Sequence, residues 1–137
     1  MRTGYIKISI EEGKVPSVEA QLADNNLWLN KYEIAKLFNC YPQKVEANLR
    51  SIFKSHLLWK EDCTYNHRYT YKGTERQCLY YNMEVLVFLS YRIATQEAKI
   101  FRQFVNSALR EHLQKKKIKE ETKLIWVFQA GKDCWLH

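Results

Sequence analysis

Gln43, Lys44 and Asn48 fall within six consecutive residues, and their side chains could read a nucleic-acid edge. A carboxamide offers a donor beside an acceptor, the pattern an adenine presents in the major groove. An ammonium reaches a guanine edge or a phosphate. Lys31, Lys36, Tyr41, Arg50 and Lys54 surround these three in sequence. Cations and a phenol at such positions suit phosphate oxygens, contacts that hold register without reading bases. Arg68, Lys72 and Arg76 recur every four residues further on and could supply phosphate contacts from a second element.

Other chemistry has less behind it. Cys63, His67 and Cys78, with His56 as a fourth, could ligate zinc. A structural zinc site wants four closed ligands, however, and the chain has no Cys-x-x-Cys pair. Cys63 as a nucleophile would need His67 as its base, but four residues along a strand separate side chains by about 13 Å. The acidic pairs Glu11-Glu12, Glu61-Asp62 and Glu120-Glu121 sit in turn-like or charged surroundings, where solvated surface is the plainer reading. The four glycines are isolated and build no phosphate-cradling loop. No metal, cofactor or small-molecule substrate is expected, and an enzyme is the weakest of the readings.

The residues that could read bases need two short helices to position them. Asn30 suits an N-cap, and residues 31–38 set Ile34, Ala35, Leu37 and Phe38 on one face. Asn39 tolerates the left-handed backbone of a stop or turn. Pro42 fits the first turn of a second helix, which runs to about residue 54 with Val45, Leu49, Ile52 and Phe53 on its apolar face. A small residue where the helices cross (Ala35), a turn residue four later (Asn39) and apolar residues around them (including Cys40) meet the packing demands of a helix-turn-helix. The start of the second helix would then enter the major groove, with Tyr41, Gln43, Lys44, Ala47 and Asn48 facing out. The plainer alternative is an αα-hairpin whose polar residues form a solvated face.

Residues 5–10 alternate as a strand and residues 18–22 offer a second. Asp24-Asn25-Asn26 reads as a tight turn, with residues 27–29 as a short strand paired back onto the second. Residues 65–71 and 74–81, around Lys72-Gly73, read as a β-hairpin placed like a wing. Its tyrosines Tyr65, Tyr69, Tyr71 and Tyr80 read first as cross-strand packing. Beside Arg68 and Arg76 they could also be a platform on which unpaired bases stack. Asn82 caps an apolar helix over 83–93, expected to be the buried central one. Thr95 caps another, whose apolar face runs through Ile100, Phe101, Phe104, Val105, Ala108, Leu109 and Leu113. The lysines from Lys115 to Lys119 could meet phosphates or an anionic membrane, or close that helix where cations suit its dipole. Residues 124–128 suggest a strand. The apolar tail either pairs onto residues 5–10 or makes a homodimer contact.

Composition sets the frame. A chain of 137 residues is domain-sized, and 46% hydrophobic with 14% aromatic content excludes disorder. No apolar run approaches the ~18–20 residues of a membrane span. Charges at Arg2, Lys7, Glu11 and Glu12 leave no secretion-signal core. A cytoplasmic location is expected, with Cys40, Cys63, Cys78 and Cys134 as free thiols. The net charge of +7 points to an acidic partner, nucleic acid ahead of a membrane. It lies in residues 27–58 (+3), 59–82 (+1) and 83–123 (+4), with −1 before and none after.

The stretches LWLNKYEIAKLF, ANLRSIF, YYNMEVLVFLSYR and FRQFVNSALREHL, in that order, resemble the RhuM virulence-protein family over roughly residues 18–114, about 70% of the chain. Members of that family occur in bacterial genomes near pathogenicity islands and mobile elements, and their label describes genomic context. The resemblance implies a DNA-binding helix-turn-helix similar to phage-type N-terminal DNA-binding domains. Ser90 stands where the family usually has Gly, which suggests looser helix packing there. Many members continue far beyond this stretch, so activity housed there does not transfer.

The sequence thus predicts an α+β fold: an N-terminal β segment (1–29), a winged helix-turn-helix-like core with β-hairpin and two longer packed helices (30–114), and a basic linker with an apolar tail (115–137). The function expected is sequence-specific binding of double-stranded DNA by a prokaryotic regulator, linked by the resemblance to a mobile element or pathogenicity locus. A homodimer would read two half-sites. The alternative is a protein–protein interaction module that does not bind DNA.

Overall fold

In the computed structural model the chain is mixed α+β, described over residues 3–120, with side chains described to Lys115. Residues 124–128, Cys134 and the apolar tail, on which several expectations rested, lie outside the described residues. The compact unit within residues 3–105 holds nearly all the elements. Among the described residues no helix is long and apolar enough to cross a membrane.

The unit begins with an antiparallel pair, β1 (Tyr5–Ser9) and β2 (Ser17–Gln21), in register Tyr5↔Gln21 through Ser9↔Ser17. Alternation turns Ile6 and Ile8 toward the core. Gly4, at φ +70°, packs so closely on this pair that a Cβ there would sit 2.5 Å from the Gln21 carbonyl oxygen. Only glycine takes both that conformation and that approach without strain.

Asp24 and Asn25, both at positive φ, form the expected tight turn, closed by the Ala23↔Asn26 bridge. The expected strand pairing after it does not occur. The Asn26 carboxamide instead accepts from the backbone N–H of Leu27 (2.8 Å) and of Met83 (3.3 Å). That directs the chain away from β2, and Leu27 becomes a fully buried core residue. The next strand, β3 (Leu29–Asn30), pairs with the distant hairpin.

Asn30 then caps α1 (Lys31–Leu37). Its side chain accepts from the Glu33 N–H (2.9 Å) while Glu33 Oε1 accepts from the Asn30 N–H (3.0 Å), a reciprocal capping box. Residues 38–41 make the turn, with Asn39 at φ +53° as its spacing predicts. α2 (Pro42–Lys54) follows with Pro42 in its first turn. Val45, Leu49 and Ile52 are buried along it, and Ala35 is 3% exposed on α1.

A short helical turn, α3 (Lys60–Cys63), which the sequence reading did not anticipate, leads into β4 (Thr64–Tyr71) and β5 (Thr74–Tyr81). These form the expected hairpin about Lys72-Gly73, both at positive φ. The sheet order is β3-β5-β4, so the strand that introduces α1 also anchors the base of the hairpin.

Asn82 caps α4 (Met83–Ser90) by accepting from the Val85 N–H (3.3 Å). This helix ends three residues earlier than expected, because the N–H groups of Tyr91 and Arg92 fold back onto Phe88 and Leu89. It is therefore shorter than α2, not one of two longer helices. Ser90 is fully buried, and its hydroxyl donates to the Val87 carbonyl oxygen (2.7 Å). The hydroxymethyl is accommodated in close packing, contrary to the looseness expected.

Thr95 caps α5 (Gln96–Glu120), which continues through the lysine-rich residues 115–120. Ile100 and Phe101 are buried, but Phe104, Leu109 and Leu113 are 38%, 56% and 37% exposed. Within the first compact unit, which ends at Val105, Ala98, Phe101 and Val105 of this helix pack with the core.

Candidate functional site

The outer surface of α2 collects most of the residues singled out from the sequence. Positions 43, 47, 50, 51 and 54 repeat at helical spacing opposite the buried stripe of Val45, Leu49 and Ile52. Gln43, Lys44, Ala47, Arg50, Ser51 and Lys54 are all exposed. Tyr41, the N-cap, is 81% exposed and makes no side-chain capping bond.

Asn48 differs from the expectation. It lies on the flank of the helix, half-buried, and its amide nitrogen donates to the Lys44 carbonyl oxygen (2.9 Å). A carboxamide turned onto its own helix presents less to a partner than Gln43 does. The cause is geometric: position 48 falls between the buried stripe and the outer face.

The flanking cations divide. Lys36 is exposed on α1, and Lys54 lies in the last turn of α2. Lys31 and Arg50 both converge on Glu46, at 3.4 Å and 3.6 Å. The Arg50 pair has helix spacing and could be read from sequence. The Lys31 pair spans two helices and could not. Glu46 thus places a carboxylate between two of the predicted phosphate contacts. Exposed pairs of this kind are worth little, on the order of 0–1 kcal/mol, and are readily exchanged for another anion.

Two cations missed by the sequence reading join this surface. Lys60, from α3, lines with Lys31, Arg50 and Lys54 an open recess of about 480 Å³. Arg92, after α4, donates to Ser51 Oγ (2.9 Å) on the outer side of α2. Neither element position was legible locally, because both residues arrive through tertiary packing.

The turn itself is held from behind. Thr95 Oγ1 donates to the Phe38 carbonyl oxygen (2.7 Å) and accepts from the Ala98 N–H (3.2 Å). Phe38 and Phe101 meet edge to face at 5.5 Å. The start of α5 therefore fixes the angle at which α2 leaves the turn.

On the hairpin the three expected cations do not form one row. The register pairs Arg68 with Gln77 and Tyr69 with Arg76, so Arg68 and Arg76 point to opposite faces, and Lys72 lies in the turn.

The cysteine chemistry weighed above finds no assembled site. His67 lies opposite Cys78, but Cys63 is buried and its thiol donates to Glu84 Oε1 (3.8 Å). Burial first, then the Glu84 carboxylate, push that thiol up to about 11, the reverse of what a nucleophile or ligand needs. Burial also raises the Cys40 thiol, against the opposing influence of Lys44. Among the described residues no three His, Cys, Asp or Glu side chains stand together as metal ligands.

No family model, curated protein or solved structure matches this chain.

Proposed function

We propose that the chain binds double-stranded DNA as a winged helix-turn-helix, with the first turns of α2 in the major groove. The observation that supports this most is the outer face of α2: exposed, free of carboxylates at positions 43, 44, 47, 50, 51 and 54, and flanked by Lys31, Lys36, Lys60 and Arg92. Gln43 and Lys44 read base edges, and Asn48 contributes from the flank. Tyr41, Arg50 and Lys54 hold the phosphates, as Lys31 does once an anion replaces Glu46. The hairpin, tied to α1 through β3, serves as the wing, with Lys72 and either Arg68 or Arg76 on the backbone. The resemblance to the RhuM family agrees with this reading and carries the role of a prokaryotic regulator linked to a mobile element. A homodimer reading two half-sites completes it.

The test is selection from a random duplex pool, followed by gel shift on the recovered site. Gln43→Ala should weaken binding by about 1–3 kcal/mol and relax preference at one base position. Lys44→Ala should weaken binding comparably. A chain that binds no duplex at low salt, or whose Gln43 and Lys44 variants bind as wild type, is instead the protein–protein module of the alternative reading.

A further inference from the structure

The hairpin has a row of rings on one face that groove binding does not use. The antiparallel register puts Tyr65, His67, Tyr69 and Tyr71 of β4 on the same side as Thr74, Arg76, Cys78 and Tyr80 of β5. Leu79 and Tyr81 point the other way, to the core. The outward side holds a continuous row of rings. Trp28 meets Tyr65 edge-on at 6.3 Å, Tyr65 pairs across the strands with Tyr80, and Tyr80 meets His67 at 6.2 Å. His67 lies nearly parallel to Tyr69 at 6.0 Å. At the tip the Arg76 guanidinium and the Lys72 ammonium both lie over Tyr71, at 5.5 Å and 5.4 Å.

Cross-strand packing explains the contacts but not the exposure. Tyr65, Tyr69 and Tyr71 remain 45%, 41% and 50% exposed, so much of their ring surface still faces water. None of the eight outward strand positions is a carboxylate. The Glu33 carboxylate of α1 acts on the Tyr80 end of the row, but toward the tip the face is aromatic and cationic, which complements a polyanion that carries its own flat rings. Duplex DNA hides those rings in its stack, and only an unpaired strand can offer them.

We propose that this face of β4–β5 binds single-stranded nucleic acid, with bases stacked on Tyr65, Tyr69 and Tyr71 and the backbone steered by Lys72 and Arg76. From residue 65 to 71 the row extends about 20 Å, room for about two or three stacked bases. A ring platform reads the π-face that every base has, so the site is sequence-tolerant and complements the edge-reading of α2.

Fluorescence anisotropy of the full chain with labelled dT12 and rU12, competed by unlabelled duplex of unrelated sequence, tests this. The two oligonucleotides separate DNA from RNA as the strand. Expected is binding that the duplex competes poorly. Tyr69→Ala and Tyr71→Ala should each weaken it about ten-fold or more, with Tyr69→Phe and Tyr71→Phe close to wild type. Ultraviolet crosslinking of a 5-iodouracil oligonucleotide to the unaltered chain should map to β4, a readout that does not depend on variants folding. Equal competition by duplex, ring variants that bind as wild type, or crosslinks only on α2 would overturn the proposal. The duplex reading stands or falls apart from this one, since Gln43→Ala and Lys44→Ala should leave dT12 binding unchanged.

Discussion

Cys63 shows how far a residue's neighbourhood can decide its chemistry. The same thiol that could be a zinc ligand or a nucleophile by sequence spacing is 1% exposed and faces Glu84. Its pKa rises from 9.0 to about 11, chiefly by burial and then by the carboxylate. Because the folded value lies above the unfolded one, the stabilisation is full below about pH 9 and fades as pH climbs through about 11. Urea midpoints should fall between pH 9 and 11, and less steeply in Cys63→Ala, although that variant starts lower at pH 7. At pH 8, iodoacetamide should alkylate Cys63 more slowly than the half-buried Cys78. At this scale the sequence was legible wherever the physics is local. Asn30, Asn39, Pro42, Asn82 and Thr95 all act at fixed short spacings, and each stands where its spacing predicts. It was not legible where a side chain chooses between neighbours, as Asn48 does with Lys44 and Glu46 with Lys31.

Among elements, the helix pair was readable because its apolar periodicity, cap and turn agree, and α2 has the bounds expected of it. The partner of β3 was not. A two-residue strand carries almost no pairing information, and the Asn26 carboxamide, bonded to the start of α4, decides its course. The same dependence on distant groups governs the turn at residues 38–41, where Thr95 both caps α5 and holds the Phe38 carbonyl. Thr95→Ala removes a cap and leaves a carbonyl without its donor. It should destabilise the fold by about 1–3 kcal/mol in urea unfolding, and amide exchange at Asn39 and Cys40 should quicken. Thr95→Ser, which keeps the hydroxyl, should restore most of both. Loss of stability without faster exchange in the turn would mean that Thr95 serves α5 alone.

At the scale of the whole molecule, the +7 net charge matters only through its geometry. Arg68 and Arg76 face apart, so one DNA backbone can meet at most one of them. Lys31, Lys36, Arg50, Lys54, Lys60, Lys72 and Arg92 then bring the possible cationic phosphate contacts per protomer to eight. Counterion release makes the slope of log K against log salt about −0.9 per phosphate, so one protomer should show a slope no steeper than about −7. A dimer on two half-sites could approach about twice that, and sedimentation at the same concentrations shows which of the two is present. Glu46 gives this count a specific handle. Its single charge is shared between Lys31 and Arg50 in the free protein, and a phosphate must compete with it there. Glu46→Gln keeps the shape and removes the competing charge. If the helix pair meets the DNA backbone, that variant should bind duplex more tightly at every salt concentration. Combining it with Arg50→Ala should remove part of the gain, because one of the released cations is gone. If the helix pair docks on a protein instead, Glu46→Gln should leave any residual affinity for duplex as weak as before, because no phosphate competes for those cations.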